Sequence, residues 1–203
     1  AIKYFKMSAD KGNVDAMNNY ADKLFNGNGI EVNKQEASKY YKKSADKGNM
    51  SAMFRYAYMS DEGDGIPINY SEALKYYKMA IDKGCSASMN NYGVMLFYGN
   101  GIEVNKTEAI KYFKMSADKG NIAAMNNYAI NLFNGYGIEV NKTEAIKYFK
   151  MSADKGNVDA MNKYANILNE GDGVPVDKEE AKKYYQKAAA KGSAKAKRKL
   201  LHI

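Results

Sequence analysis

Imidazole and thiol side chains, which carry much of enzyme chemistry, are limited in this chain to one histidine and one cysteine. His202 is the penultimate residue, and Cys85 is far from it in sequence. A His/Cys metal site needs several such ligands, and a Ser-His-Asp or Cys-His nucleophile needs a histidine beside the attacking atom. The sequence therefore predicts no catalytic residues, no metal site and no cofactor, and it argues against an enzyme.

The polar side chains that recur at a regular spacing are amides. Asn18, Asn90, Asn126 and Asn162 occupy equivalent positions along the chain, and only Phe54 interrupts them. An amide both donates and accepts hydrogen bonds, so an evenly spaced row of asparagines is a candidate for pairing with the backbone of an extended peptide. The alternative is that these asparagines are ordinary solvated residues that were copied together with their surroundings.

The positions next to this row differ most from copy to copy. One position reads Asp22, Tyr58, Val94, Ile130, Asn166; a second reads Phe25, Asp61, Phe97, Phe133, Asn169; a third reads Asn26, Glu62, Tyr98, Asn134, Glu170. Aromatic side chains beside polar groups are typical of peptide-binding surfaces. The predicted peptide-contacting residues are Asn18, Asp22, Phe25, Phe54, Arg55, Tyr58, Asn90, Val94, Phe97, Tyr98, Asn126, Ile130, Phe133, Asn162 and Asn166.

These positions follow a repeat of 36 residues, which Lys-Gly pairs mark at 11–12, 47–48, 83–84, 119–120, 155–156 and 191–192. A fixed period of this length is the signature of a stacked-repeat protein. Complete repeats are predicted at 13–48, 49–84, 85–120, 121–156 and 157–192. Residues 1–12 are predicted to be the second helix of a truncated upstream repeat, and 193–203 a C-terminal capping helix. All of them are expected to form one continuous solenoid domain.

Each repeat is predicted to contain two helices. In the first repeat Ala16, Met17 and Tyr20 fall on one face at helical spacing, and this first helix stops at Gly27. The second helix opens with an asparagine followed three residues later by a glutamate, which is a capping signal. Its predicted buried face holds Ala37, Tyr40, Tyr41, Ser44 and Ala45.

This repeat resembles the Sel1-like repeat, a relative of the tetratricopeptide repeat. The resemblance is carried by the alanines at 16, 52, 124 and 160, by Gly27-x-Gly29-Ile30, and by Ala37…Tyr40-Tyr41…Ser44-Ala45…Gly48. It implies an all-α, right-handed α-solenoid of about twelve helices, whose concave side is lined by the first helix of each repeat. Tyr20 and its equivalents depart from the usual leucine of the family, and Tyr40 and its equivalents from the usual tryptophan.

The predicted function is a non-catalytic scaffold or adaptor that binds a partner protein or peptide in this concave groove. The alternative is polyanion or RNA binding through a lysine row on the second helices, because the net charge is +8. The row consists of Lys3, Lys39, Lys75, Lys111, Lys147 and Lys183. Glutamates and aspartates share its face, which favours an ordinary solvated surface.

The sequence also bears on membranes and on the compartment. No apolar run approaches the roughly 20 residues of a membrane-spanning helix, so membrane insertion is not expected. A single cysteine excludes an internal disulfide framework, and the chain shows no signal-peptide pattern. Both features favour a cytoplasmic location.

Overall fold

A computed structural model describes residues 2–203; Ala1, the first residue of the predicted upstream helix, lies outside them. The described residues form twelve α-helices and no strand, and the chain divides into two compact units, Ala1–Val104 and Asn105–Ile203. The first unit contains α1 (Ile2–Asp10), α2 (Val14–Asn26), α3 (Lys34–Asp46), α4 (Met50–Glu62), α5 (Tyr70–Asp82) and α6 (Ser86–Tyr98). The second contains α7 (Lys106–Asp118), α8 (Ile122–Asn134), α9 (Lys142–Asp154), α10 (Val158–Glu170), α11 (Lys178–Ala190) and α12 (Ala194–Lys199).

The second helices begin where the predicted capping signal stands. The side-chain oxygen of Asn33 accepts a hydrogen bond from the Glu36 N–H at 2.9 Å, which satisfies one of the free donors at the start of α3. The same bond opens the other second helices at Asn69, Asn105, Asn141 and Asp177. The predicted caps are therefore confirmed.

The connector between the two helices of a repeat is fixed by a glycine at the end of the first helix and by a backbone hydrogen bond from the connector back to that helix. Gly27 ends α2 with φ 72°, a left-handed conformation that glycine adopts without strain, and its N–H donates to the Lys23 carbonyl at 2.9 Å. A methyl group of Val32 lies only 2.7 Å from where a Cβ on Gly27 would stand. The Asn33 N–H then donates back to the Leu24 carbonyl at 2.9 Å, so the chain folds over the helix end before α3 begins.

Within the first unit, α2 packs against α3 and α4 against α5 as helical hairpins, while α1 packs on α2, α3 on α4, and α5 on α6. Within the second unit, α8 packs against α9 and α10 against α11, with α7 on α8, α9 on α10, and α12 on α11. This arrangement confirms the predicted all-α stacked-repeat fold within each unit. The repeat boundaries and the single continuous domain stay predictions.

The core of each hairpin is built around a pair of tyrosines. Tyr20 on α2 meets Tyr40 on α3 edge to face, with ring centroids 4.9 Å apart and planes at 88°. The same pair recurs within the hairpins as Tyr56–Tyr76, Tyr128–Tyr148 and Tyr164–Tyr184. The tyrosines at the two positions where the sequence departs from the resemblance thus meet in one edge-to-face contact.

Neighbouring repeats in the same unit are joined by contacts between residues 30 apart. The Tyr40 hydroxyl donates to Asp10 at 2.7 Å and the Tyr148 hydroxyl donates to Asp118 at 3.0 Å. Tyr76 donates to Asp46 in the same way, and Lys42 forms an ion pair with Glu72. The side of the repeat formed by the second helices is therefore occupied by bonds that hold the stack together.

Candidate functional site

All the predicted peptide-contacting residues lie on first helices. In the first unit they are Asn18, Asp22 and Phe25 on α2, Phe54, Arg55 and Tyr58 on α4, and Asn90, Val94, Phe97 and Tyr98 on α6. In the second unit they are Asn126, Ile130 and Phe133 on α8, and Asn162 and Asn166 on α10. Peptide contact at any of these residues stays a prediction.

The row of asparagines is buried, which differs from what the sequence suggested. Asn18, Asn90, Asn126 and Asn162 are each only 6–9% exposed. Asn162 shows the reason, because its amide nitrogen donates to the hydroxyl of Ser193, the N-cap of the next first helix, at 3.0 Å. At this site the asparagine position lies in the seam between consecutive first helices, where a side chain packs instead of facing solvent.

The aromatic residues are more accessible than the amides, but most are partly covered. Phe25, Phe54, Tyr58 and Phe97 are half-buried, whereas Tyr98 is 69% exposed. Tyr98 lies edge to face beside Phe97, with ring centroids 5.1 Å apart. In the second unit Phe133 is buried, at 9% exposed, and the ammonium groups of Lys142 and Lys163 lie over its ring.

A set of hydroxyl hydrogen bonds explains much of the variation along the first helices. In the first repeat the buried Tyr41 donates to Asp22 at 2.6 Å, and in the fifth Tyr185 donates to Asn166 at 2.5 Å. In the third and fourth repeats, where the Asp22 position holds Val94 and Ile130, the Tyr41 position holds phenylalanine, at Phe113 and Phe149. A hydroxyl is therefore present where an acceptor is present, and absent where the first helix offers only an aliphatic side chain.

In the second repeat a different residue of the first helix accepts the hydrogen bond from the buried tyrosine. Its first helix has Tyr58 at the acceptor position, and the buried Tyr77 instead donates to Asp61 at 3.3 Å. The amide nitrogen of Asn91, on the neighbouring first helix α6, donates to the Tyr77 hydroxyl at 3.0 Å. None of Asp61, Tyr77 and Asn91 was among the predicted site residues. Comparing the Tyr/Phe alternation of the second helices with the first helices, repeat by repeat, would have singled out Tyr77 as a hydroxyl without the usual acceptor, but it would not have pointed to Asp61 or Asn91.

The ionisation of these groups follows from burial. Burial, and then the hydrogen bond to Asp22, raises the pKa of Tyr41 well above its ordinary range. Burial also raises the pKa of Asp61 from 3.8 to about 6, with the neighbouring Glu62 adding to the effect and the Tyr77 hydrogen bond opposing it. The tyrosine hydroxyls therefore stay protonated near neutral pH and act as hydrogen-bond donors.

The second helices carry the predicted lysine row on their outer side. Every member, from Lys3 through Lys183, is exposed. Residues 2–203 contain no group of three or more His, Cys, Asp or Glu side chains placed to hold a metal ion. Nor does this part of the chain contain a helix that is long and apolar enough to cross a membrane.

The sequence pattern that defines the Sel1 repeat matches this chain at residues 1–13, 14–49, 51–85, 86–121, 122–157 and 158–193. The chain belongs to the Sel1 repeat family. The resemblance inferred from the sequence is thus confirmed, and members of this family are generally scaffolds for protein–protein interaction.

Solved structures of Sel1 repeat proteins are similar to this chain over most of its length. A protective antigen present in uropathogenic Escherichia coli strains, which displays an SLR fold, is 28% identical with a TM-score of 0.86. The match covers 99% of this chain and 43% of the antigen, so the chain spans less than half the antigen's length. A Sel1 repeat protein from Oxalobacter formigenes is 27% identical with a TM-score of 0.84, over 93% of this chain and 75% of that one.

A more distant structure shares the fold alone. A Sel1 repeat protein from Klebsiella pneumoniae subsp. pneumoniae is 16% identical with a TM-score of 0.63, over 98% of this chain and 97% of that one. A comparison with curated protein sequences gave no match.

Proposed function

We propose that this Sel1 repeat protein is a non-catalytic scaffold that binds an extended segment of a partner protein along the first helices of its repeats. The observation that carries the proposal lies on α4 and α6. There Phe54, Tyr58, Phe97 and Tyr98 keep part of their rings exposed beside side chains that form hydrogen bonds. Exposed rings beside polar groups are the composition expected of a protein-binding surface.

The contacts would come from the accessible members of the predicted set. On the first unit these are Asp22, Phe25, Phe54, Arg55, Tyr58, Val94, Phe97 and Tyr98, and on the second unit Ile130 and Asn166. The buried asparagines Asn18, Asn90, Asn126 and Asn162 would set the spacing of the first helices, and hence the spacing of the contacts.

The chemistry of the surface supports binding without catalysis. The buried tyrosines Tyr41 and Tyr77 have pKa values raised by burial, so neither is a base near neutral pH. His202 is the one imidazole of the sequence, and it lies far along the chain from the aromatic residues of α4 and α6. General acid–base catalysis needs a group whose pKa lies near the working pH and next to a reacting atom. Asp61, with its pKa raised to about 6, meets the first condition, and we assign it to binding because the Tyr77 hydrogen bond holds it as a fixed acceptor.

The test is selection from a random-peptide display library on the immobilised protein. The comparison variant carries Phe54→Ala and Tyr58→Ala, with its helicity verified by circular dichroism. A matched control carries Lys39→Ala and Lys75→Ala on the second helices. We expect enriched peptides that bind the wild type and the lysine control equally and lose about tenfold or more in affinity on the aromatic variant. Peptides that bind all three proteins equally, or no enrichment at all, would contradict the proposal.

A second candidate function is binding of a polyanion on the second helices. One observation favours it, since all six lysines of the row are exposed and the net charge is +8. Against it, neighbouring lysines are already engaged, with Lys42 paired to Glu72 and Lys114 to Asp118. The two functions differ in their dependence on salt.

A further inference from the structure

The second repeat departs from its neighbours at two positions of its first helix. Where Phe25 packs against Tyr41, with ring centroids 6.4 Å apart, the second repeat has Asp61. Where the other repeats have the seam asparagine, it has Phe54, whose ring lies 6.4 Å from that of Tyr77. In the second repeat, therefore, the ring that packs against the second-helix tyrosine is that of Phe54, from the seam position, and not one from the Phe25 position. A carboxylate takes the place of the usual phenylalanine.

The hydrogen bonds around Asp61 leave part of its carboxylate available. The Tyr77 hydroxyl donates to Oδ2 of Asp61 at 3.3 Å. That hydroxyl in turn accepts from Asn91 at 3.0 Å, and the Asn91 oxygen accepts from Asn90 at 3.0 Å. Oδ1 of Asp61 has no hydrogen-bond donor among residues 2–203. The network therefore fixes the carboxylate in place and leaves one oxygen for an outside donor.

The charge on Asp61 has no cation to balance it. No lysine or arginine in the part of the chain that the structure describes comes within 4.0 Å of it, whereas Asp64, three residues later, pairs with Lys34 at 2.5 Å. The neighbouring charge is Glu62, another carboxylate, and the pKa of Asp61 is raised to about 6 by burial and by that neighbour. Both carboxylates lie at the C-terminal end of α4, where the helix dipole is negative. A half-buried anion in this setting favours a cation supplied from outside.

Aromatic residues lie on the same face of α4 as this carboxylate, at helical spacing. Phe54 and Tyr58 lie on α4 with ring centroids 6.2 Å apart, and Phe54 also contacts Tyr77, whose hydroxyl donates to Asp61. A cation is attracted to the faces of aromatic rings, and the planar guanidinium group stacks on them better than an ammonium does. The site thus combines a carboxylate that can accept a hydrogen bond from a cationic group with aromatic rings on which a planar guanidinium group can stack.

We propose that Asp61, together with Phe54 and Tyr58, forms a subsite for an arginine side chain of the bound partner segment. This inference rests on the proposed scaffold function and specifies the chemistry of one contact within it. One guanidinium N–H donates to the free oxygen of Asp61, and the guanidinium plane lies against the exposed rings. The attraction is local, since the molecule as a whole carries a net charge of +8 and repels cations at long range.

The test uses four acetylated, amidated peptide libraries that are random except for a fixed central arginine, lysine, citrulline or glutamate. Citrulline matches arginine in shape and lacks its charge. Retention of each library on the immobilised full chain is measured near neutral pH. We expect the order arginine, lysine, citrulline, glutamate, with a difference of about tenfold between arginine and citrulline.

Two variants assign the preference to Asp61. Asp61→Asn keeps the size of the side chain and an acceptor for Tyr77, and should remove the difference between arginine and citrulline. Asp61→Phe restores the residue of the first, third and fourth repeats and should have the same effect. Glu62→Gln removes an exposed charge from the same helix end and should change the preference by less than about twofold.

The possible failures can be told apart. If all libraries bind, depend on Phe54 and Tyr58, and show no preference for arginine, the scaffold function stands and the subsite is overturned. If Glu62→Gln abolishes the preference as fully as Asp61→Asn does, the effect is general electrostatics and the subsite is again overturned. If no library is retained on the wild type, both the scaffold function and the subsite fail.

Discussion

The hydroxyls of Tyr41, Tyr77 and Tyr185 each form a hydrogen bond with a residue on the first helix of the same repeat. Phe149 is fully buried, and the register of the first and fifth repeats places its para position toward Ile130. We therefore expect Phe149→Tyr to bury an unpaired hydroxyl and to lower the free energy of unfolding by about 1–3 kcal/mol. Urea unfolding, followed by circular dichroism, measures this change.

Adding a hydrogen-bond acceptor for the new hydroxyl should restore part of the lost free energy of unfolding. The double variant Phe149→Tyr with Ile130→Asn reproduces the Tyr185–Asn166 pair of the fifth repeat, and we expect it to recover about 1 kcal/mol relative to the single variant. If the double variant is no more stable than Phe149→Tyr alone, the hydrogen bond is not the reason that tyrosine occurs with an acceptor, and phenylalanine with an aliphatic residue, in the same repeat.

Asp61 makes stability depend on pH in an unusual direction. Its pKa rises from 3.8 to about 6 on folding, so the folded protein binds the proton more tightly than the unfolded chain does. Its protonation therefore stabilises the fold, fully below about pH 4, and this contribution is lost as the pH rises through about 6. We expect Asp61→Asn to be more stable than the wild type at pH above about 7, with the advantage shrinking toward pH 4.

Urea unfolding of the wild type and of Asp61→Asn across this pH range measures the effect. Glu62→Gln is the matched control, because Glu62 is exposed on the same helix end. An advantage of Asp61→Asn that grows as the pH falls would mean that the carboxylate is stabilising in the folded protein.

At the scale of the helices and their connectors, glycines with a left-handed φ follow both kinds of helix, but Gly135, which ends α8, also leaves room for a valine side chain that Gly120, after α7, does not meet. Gly135 has φ 73°, and Cγ2 of Val140 lies 2.8 Å from where its Cβ would be. Gly120 has φ 89°, and nothing lies within 4 Å of its Cβ position. We expect Gly120→Ala to lower the free energy of unfolding by about 1 kcal/mol from backbone strain alone, and Gly135→Ala to lower it by more.

A third variant separates strain from crowding. Gly135→Ala combined with Val140→Ala removes the methyl group that a new Cβ would meet, so its cost should return toward that of Gly120→Ala. Chemical denaturation of the three variants gives the comparison. Equal losses for Gly120→Ala and Gly135→Ala would show that Val140 yields to the new methyl group without cost.

The local features of these elements could be read from the sequence, whereas the contacts between them could not. Asn33 and Glu36 are three residues apart, and Gly27 marks a helix end by its own conformational preference, so each signal is complete within a short segment. The bond from Tyr41 to Asp22 joins residues 19 apart, and that from Tyr76 to Asp46 joins residues 30 apart. Such pairs depend on how helices pack, so the alternation of tyrosine and phenylalanine between repeats hints at the first bond, and nothing in the sequence pattern points to the second.

The asparagine row shows the same limit at the candidate site. Its regular spacing was visible in the sequence, but the side on which it lies was not. Asn162 is buried because Ser193, 31 residues later, approaches it from the next first helix. Helical periodicity places a residue on a face of its own helix, while burial depends on which neighbour covers that face.

Across the molecule, the exposed lysine row and the exposed aromatic rings lie on different kinds of helix. The exposed lysine row lies on the second helices, while Asp22 and Asp61 lie on first helices among aromatic rings. A phosphate polymer and a protein segment would therefore be drawn to different surfaces, by forces that respond differently to salt. Contacts with phosphates release counterions, whereas contacts between rings and apolar side chains do not.

This separation predicts two different salt dependences. Retention of polyuridylate RNA on the immobilised protein should fall steeply between about 50 and 200 mM salt, on the order of a thousandfold if six or more phosphates are engaged. A peptide selected on the first helices should change far less over the same range. Lys39→Gln with Lys75→Gln should reduce the salt slope of the RNA and leave the peptide unaffected, while Phe54→Ala with Tyr58→Ala should do the opposite. RNA that stays bound at high salt, and that is released by the aromatic variant, would move nucleic-acid binding to the first helices and displace the protein segment as their ligand.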